Sequence, residues 1–121
     1  MFKVIIAGSR YFTSYQHLKE ACEFYLSNKL PQVTIISGHA KGADSLGEKW
    51  ASEMNLPCEI YPADWNKYGK SAGYIRNKQM AEVGNALIAF KIKGIESKGT
   101  DNMISLAREK GISVRVLIIE Q

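Results

Sequence analysis

Five short apolar runs alternate with amphipathic stretches from one end of this chain to the other, and that rhythm leaves few folds open. Phe2–Ala7, Val33–Ser37, Cys58–Tyr61, Ala86–Phe90 and Ser113–Ile118 read as strands. Four of them are rich in Val and Ile without clean polar alternation, as expected for strands covered on both faces. Between them the spacing predicts helices over roughly 14–29, 42–54, 71–83 and 100–110. In the second, Ala43, Leu46, Gly47, Trp50, Ala51 and Met54 share one stripe, with Ser45, Glu48, Lys49, Ser52 and Glu53 opposite. Gly47 sits at the centre of that stripe, where a side chain would hold the helix off its support. Gly111 ends the last helix as a left-handed cap would. Strand and helix alternate with no repeat, linker or low-complexity segment. The expected architecture is therefore α/β: an open parallel sheet of about five strands, order 3-2-1-4-5, with helices on both faces.

At 121 residues and 45% hydrophobic, the chain is the size of one domain spanning residues 1–121. Such a chain buries roughly two-thirds of its unfolded surface, enough for a core without staples. The formal net charge of +4 points mildly to an anionic partner. The two cysteines, Cys22 and Cys58, have no metal-ligand spacing and read as buried free thiols of a reducing cytosol, and no metal site is expected. The N-terminal apolar run breaks at Gly8, too early for a signal peptide, and no stretch approaches the ~20 apolar residues of a membrane span. The expectation is a soluble, cytoplasmic protein without a membrane partner. Helix faces of such small sheets often pair with another subunit, so a homo-oligomer stays open.

Open parallel sheets bind ligands beyond the carboxyl ends of their strands, where the strand order reverses. Here that point lies between strands 1 and 4, so the loops after strands 1 to 4 carry the candidate site. After strand 1, "AGSRYF" offers Gly8 for close backbone approach, the Ser9 hydroxyl and the Arg10 guanidinium, suited to bidentate phosphate contact. After strand 2, "ISGHAKGADSLGEKWA" places Ser37, Gly38, His39, Ala40 and Gly42 in a turn that enters a helix. Its glycines let the amides of His39 to Ala43 point outward where the helix dipole is positive, and Lys41 adds charge. Asp44 in the first turn either caps those amides, competing with phosphate, or accepts hydrogen bonds from ribose hydroxyls. His39 contacts ligand or solvent.

After strand 3, Ser71 is the expected cap of a helix whose face carries Ala72, Arg76, Gln79, Met80 and Val83. An arginine in such a stripe is expensive unless satisfied. It either pairs with Asp64 or Asp101 or reaches a bound anion, and Asn77 beside it is a further candidate contact. Trp65 and Tyr68 either stack on a base or cover the core. After strand 4, Lys91, Lys93 and Lys98 crowd a loop ending in Gly99 and Thr100. Thr100 either caps the helix that follows or, with adjacent amides, binds phosphate; Asp101 follows it.

Together, "AGSRYF", "ISGHAKGADSLGEKWA", "PADWNKYGKSAGYIRNKQM" and "SKGTDNMISLA" resemble the SLOG superfamily, and within it the YspA-like branch of small bacterial and phage proteins. The resemblance spans nearly the whole chain. It implies a three-layer, Rossmann-like fold with a nucleotide-derived ligand at the strand ends. Relatives include the LOG enzymes, which cut the N-glycosidic bond of nucleoside monophosphates, the DNA-processing protein DprA, and sensor domains for ADP-ribose-like signals. Arg76 followed by Met80 resembles the LOG arginine motif, which implies an assisting role in catalysis. Gly99 and Thr100 resemble the family's phosphate-binding pair. Three residues after the threonine, where LOG enzymes carry a glutamate, this chain has Met103. Methionine neither stabilises an oxocarbenium-like transition state nor activates water, which argues against that hydrolysis.

The leading expectation is a module that binds a nucleotide or NAD-derived small molecule, as sensor or sequestering protein, with no cofactor required. The second is an N-glycosidase or related nucleotide hydrolase using Asp44 or Asp101 as its acid. The third is single-stranded nucleic-acid binding, from aromatics and cations interleaved over residues 64–78. Nucleic acid is not the expected partner, because those residues divide between a loop and a core-facing stripe.

Overall fold

The computed structural model describes residues 1–121. β1 (Phe2–Gly8) is the middle strand. Its side chains divide by the period of two: Val4 and Ile6 enter one apolar cluster, Ile5 and Ala7 the other, all four buried. Beside it lie β2 (Val33–Ser37) and β4 (Ala86–Ile92), and outside these β3 (Cys58–Ile60) and β5 (Ser113–Ile119). All neighbours are parallel, in the order β3-β2-β1-β4-β5. The predicted sheet order is the observed one.

Helices α1 (Tyr15–Leu26) and α2 (Ala43–Glu53) supply Leu18, Cys22, Trp50 and Ala51 to the cluster on one face. Helices α4 (Ala72–Val83) and α5 (Lys98–Glu109) supply Met80, Ala81, Met103 and Ala107 to the cluster on the other. Gly47 lies against β1 as its place in the stripe demands: a Cβ there would stand 2.7 Å from Ile6 Cγ2.

Several local expectations need correction. The segment after β3 is not a plain loop. Asp64 accepts a hydrogen bond from the Lys67 amide (3.1 Å) and so caps a one-turn helix, α3 (Trp65–Tyr68), which passes through a 3-10 turn into α4. Ser71 therefore makes no capping bond. The buried face of α4 is Ala72, Asn77, Met80 and Ala81, while Gln79 and Val83 are exposed, so Arg76 stands at the edge of the face. α5 begins at Lys98, putting Thr100 inside its first turn rather than at its cap. β4 runs on to Ile92, which carries Lys91 and Lys93 away from the loop's tip. Cys22 is buried, but Cys58 on the edge strand is only half-buried. No helix is long and apolar enough to cross a membrane.

Candidate ligand-binding site

At the carboxyl end of β1 two backbones must nearly touch. A Cβ at Gly8 would fall inside contact distance of the Phe90 carbonyl oxygen and 2.8 Å from Ala43 Cβ. Ser9 follows as a buried fastener. Its amide donates to the Phe90 carbonyl (2.9 Å), its carbonyl accepts from Ala43 N (3.2 Å), and its hydroxyl accepts from Tyr11 N (3.1 Å). This joins β4, the start of α2 and the loop that presents Arg10.

The turn after β2 does not fan its amides outward. The His39 amide donates to Ser37 Oγ (3.1 Å), the Ala40 amide to Asp44 Oδ2 (3.1 Å), and the Ala43 amide to the Ser9 carbonyl. Ser37 donates to Glu48 Oε2 (2.7 Å), and His39 Nδ1 lies 3.0 Å from the same oxygen. Ser37, Gly38, His39 and Gly42 thus shape the turn from behind, and only Ala40 and Asp44 of this segment line the cleft. The first-turn carboxylate occupies the place an anion would need at the α2 terminus.

Arg76 reaches across two loops. Nη1 donates to the Gly38 and Tyr61 carbonyls, and Nε donates to Asn77 Oδ1 (3.0 Å). A Cβ at Gly38 would stand 2.5 Å from Arg76 Nη1 and 3.0 Å from Asp44 Oδ2, so glycine leaves room for both groups. Neither Asp64 nor Asp101 pairs with Arg76. Asp44 is its electrostatic partner, without a direct ion pair. Burial lowers the Arg76 pKa and raises that of Asp44 to about 6; each charge partly offsets the other's penalty.

Asn77, buried, donates to the Gly99 carbonyl (3.1 Å) and to Asn102 Oδ1 (3.0 Å), tying α4 to the first turn of α5. That turn leaves the amides of Lys98, Gly99 and Thr100 without helical partners, while Thr100 Oγ1 and Ser97 Oγ lie 2.6 Å apart. Asp101 points the other way, to Lys91 (2.5 Å), and Lys93 pairs with Glu120. Neither lysine nor Asp101 borders the cleft.

All four loop segments meet at one cleft of about 410 Å³. Of the expected residues it gathers Gly8, Ser9 and Arg10, then Ala40 and Asp44, then Trp65, Arg76 and Asn77, and finally Lys98, Gly99 and Thr100. Asp64 and Tyr68 lie instead on a separate recess of about 180 Å³ behind Arg76. Sequence reasoning missed Tyr11, Gly73, Glu96 and Ser97 as lining residues, and counted Lys70 and Tyr74 only among the nucleic-acid candidates of residues 64–78. Tyr11, Trp65 and Tyr74 are 62%, 60% and 48% exposed, a signal invisible before the helices are placed. Ala7, Met80 and Met103 complete the apolar floor. The cleft holds four cationic side chains, Arg10, Lys70, Arg76 and Lys98, against two acidic ones, Asp44 and Glu96. Arg10, Lys70 and Lys98 have no ion pair in the structure.

Comparison with known proteins gives three results. The model of the YspA, cpYpsA-related SLOG family matches residues 2–68. Gene 61 protein of Mycobacterium phage D29 is 32% identical over 120 residues, covering 94% of each chain. The fold is similar to that of DNA processing protein A (DprA) from Streptococcus pneumoniae, with a TM-score of 0.57 and 17% identity. That match covers 94% of this chain but only 58% of that one.

Proposed function

Since this chain belongs to the YspA, cpYpsA-related SLOG family, we propose that it binds a nucleotide- or NAD-derived small molecule in the cleft at the carboxyl edge of its sheet. One observation carries the reading: the open first turn of α5 shares the cleft with unpaired Arg10 and Lys98 and with a rim of exposed aromatic rings. Free helix amides with adjacent cations suit a phosphate, and exposed ring faces suit a base. The floor is closed by Met103, 1% exposed, where LOG enzymes carry their glutamate. We therefore read the site as one that binds and does not hydrolyse.

Calorimetric titration of the purified chain with nucleoside monophosphates, ADP-ribose and NAD tests this, alongside mass spectrometry of small molecules released on heat denaturation. Saturable binding of at least one is expected, with no free base produced on incubation. No binding at millimolar concentration, with no nucleotide released on denaturation, would remove the reading. Steady release of base would convert the protein into an N-glycosidase, with Asp44 or Glu96 as the acid within reach.

A further inference from the structure

Two chemically different features share the cleft. The α5 turn offers free amides beside Lys98 and Glu96. Asp44, 6% exposed, stands in the first turn of α2 with the Arg76 guanidinium nearby. Its Oδ2 takes the Ala40 amide, while Oδ1 has no protein partner, yet it is not sealed off, and the residue lines the cleft. A carboxylate oxygen without a protein partner that faces the cleft is free to accept a hydrogen bond from a bound group. Arg76 does not serve: its Nη1 and Nε are committed to Gly38, Tyr61 and Asn77, and it lies outside ion-pair distance. The charge of Asp44 disfavours an anion beside it, and the first amide of the neighbouring α2 terminus, that of Ala43, is already taken by the Ser9 carbonyl.

In a nucleotide the sugar lies covalently between phosphate and base. With phosphate at α5 and the base against the exposed rim, the inward group that meets Asp44 is the sugar. Resting on the reading above, we propose that the free carboxylate oxygen of Asp44 accepts a hydrogen bond from the sugar's vicinal hydroxyls, so that the site selects ribonucleotides over their 2′-deoxy counterparts. Asp64 does not compete for this role, because it caps α3 and lies outside the cleft.

The experiment is calorimetric titration of the full chain with the four ribonucleoside monophosphates and their 2′-deoxy forms, repeated on Asp44→Asn and Asp44→Ser, each checked for folding by circular dichroism. For the wild type, the best ribonucleotide should bind roughly ten- to a hundredfold more tightly than its deoxy form, the worth of one charge-assisted hydrogen bond. In the variants that ratio should fall below about threefold, with the ranking of bases unchanged. Equal wild-type affinity for both sugars would overturn the assignment while leaving nucleotide binding in place. A changed base ranking with an intact sugar preference would move Asp44 to the base and also overturn it. If no nucleotide binds the wild type, this assignment falls together with the function on which it rests.

Discussion

Burial raises the Asp44 carboxyl to about 6; the Ala40 amide and the Arg76 and His39 side chains pull it down, and Glu48 pushes it further up. The folded value lies above the unfolded one of about 3.9, so the native state holds the proton more tightly. This contribution to stability is complete below the unfolded value and is lost as pH rises through about 6. The whole span is worth about 3 kcal/mol, of which roughly half falls between about pH 5 and about pH 8. Urea unfolding across that range should show the wild type losing stability relative to Asp44→Asn by about that amount; two parallel curves would mean an Asp44 carboxyl that titrates normally. At this scale the sequence showed that Arg76 needed a partner and gave the amides of the turn as one of two partners for Asp44, of which the Ala40 amide is the one found. It did not show what holds Arg76, because Gly38 and Tyr61 satisfy it through backbone carbonyls that any residue carries. Asn77 was legible only as a neighbour of Arg76, whereas its bonds to Gly99 and Asn102 depend on where α5 packs.

Glycine placement governs how the elements dock. Gly42 (φ 79°) enters α2 against the Ser9–Arg10 backbone, while Gly69 (φ 58°) adopts a comparable conformation with nothing near its missing side chain. Replacing either by alanine forces a strained backbone, at about 1–3 kcal/mol. Only Gly42→Ala adds a collision with backbone that cannot rotate away, worth about 1–3 kcal/mol more. Chemical denaturation should therefore rank Gly42→Ala as the less stable variant by at least about 1 kcal/mol, and equal losses would mean that α2 can shift freely. Helices α1, α2 and α5 were readable because each repeats an apolar stripe over several turns, whereas α4 has no such stripe and its buried face was misjudged. The four-residue α3 was not readable, since one turn has no period to detect. The start of α5 was misjudged because Gly99 reads as a loop residue. In an exposed first turn, glycine gives up little packing.

Across the whole molecule, charge matters by position more than by total. The cleft collects unpaired Lys98, while Lys93, five residues earlier in the chain, pairs with Glu120 outside it. Lys98→Glu is expected to weaken nucleoside monophosphate binding by roughly tenfold or more, and Lys93→Glu by less than about twofold, with the Lys98 effect shrinking at high salt. Equal effects in calorimetry would mean that the α5 turn is not where the anion sits. The sequence by itself determined the order of the strands and long helices, the sheet order 3-2-1-4-5 and the edge at which the loops gather. Those follow from local periodicity and from the few ways a strand–helix alternation can wind. Tertiary structure alone decided which charged side chains the cleft collects and which loop residues turn inward. Ser37 and His39 face Glu48, while Tyr11 and Tyr74 rim the cleft. A loop side chain's direction is set by contacts with elements distant in sequence, and no local pattern encodes that.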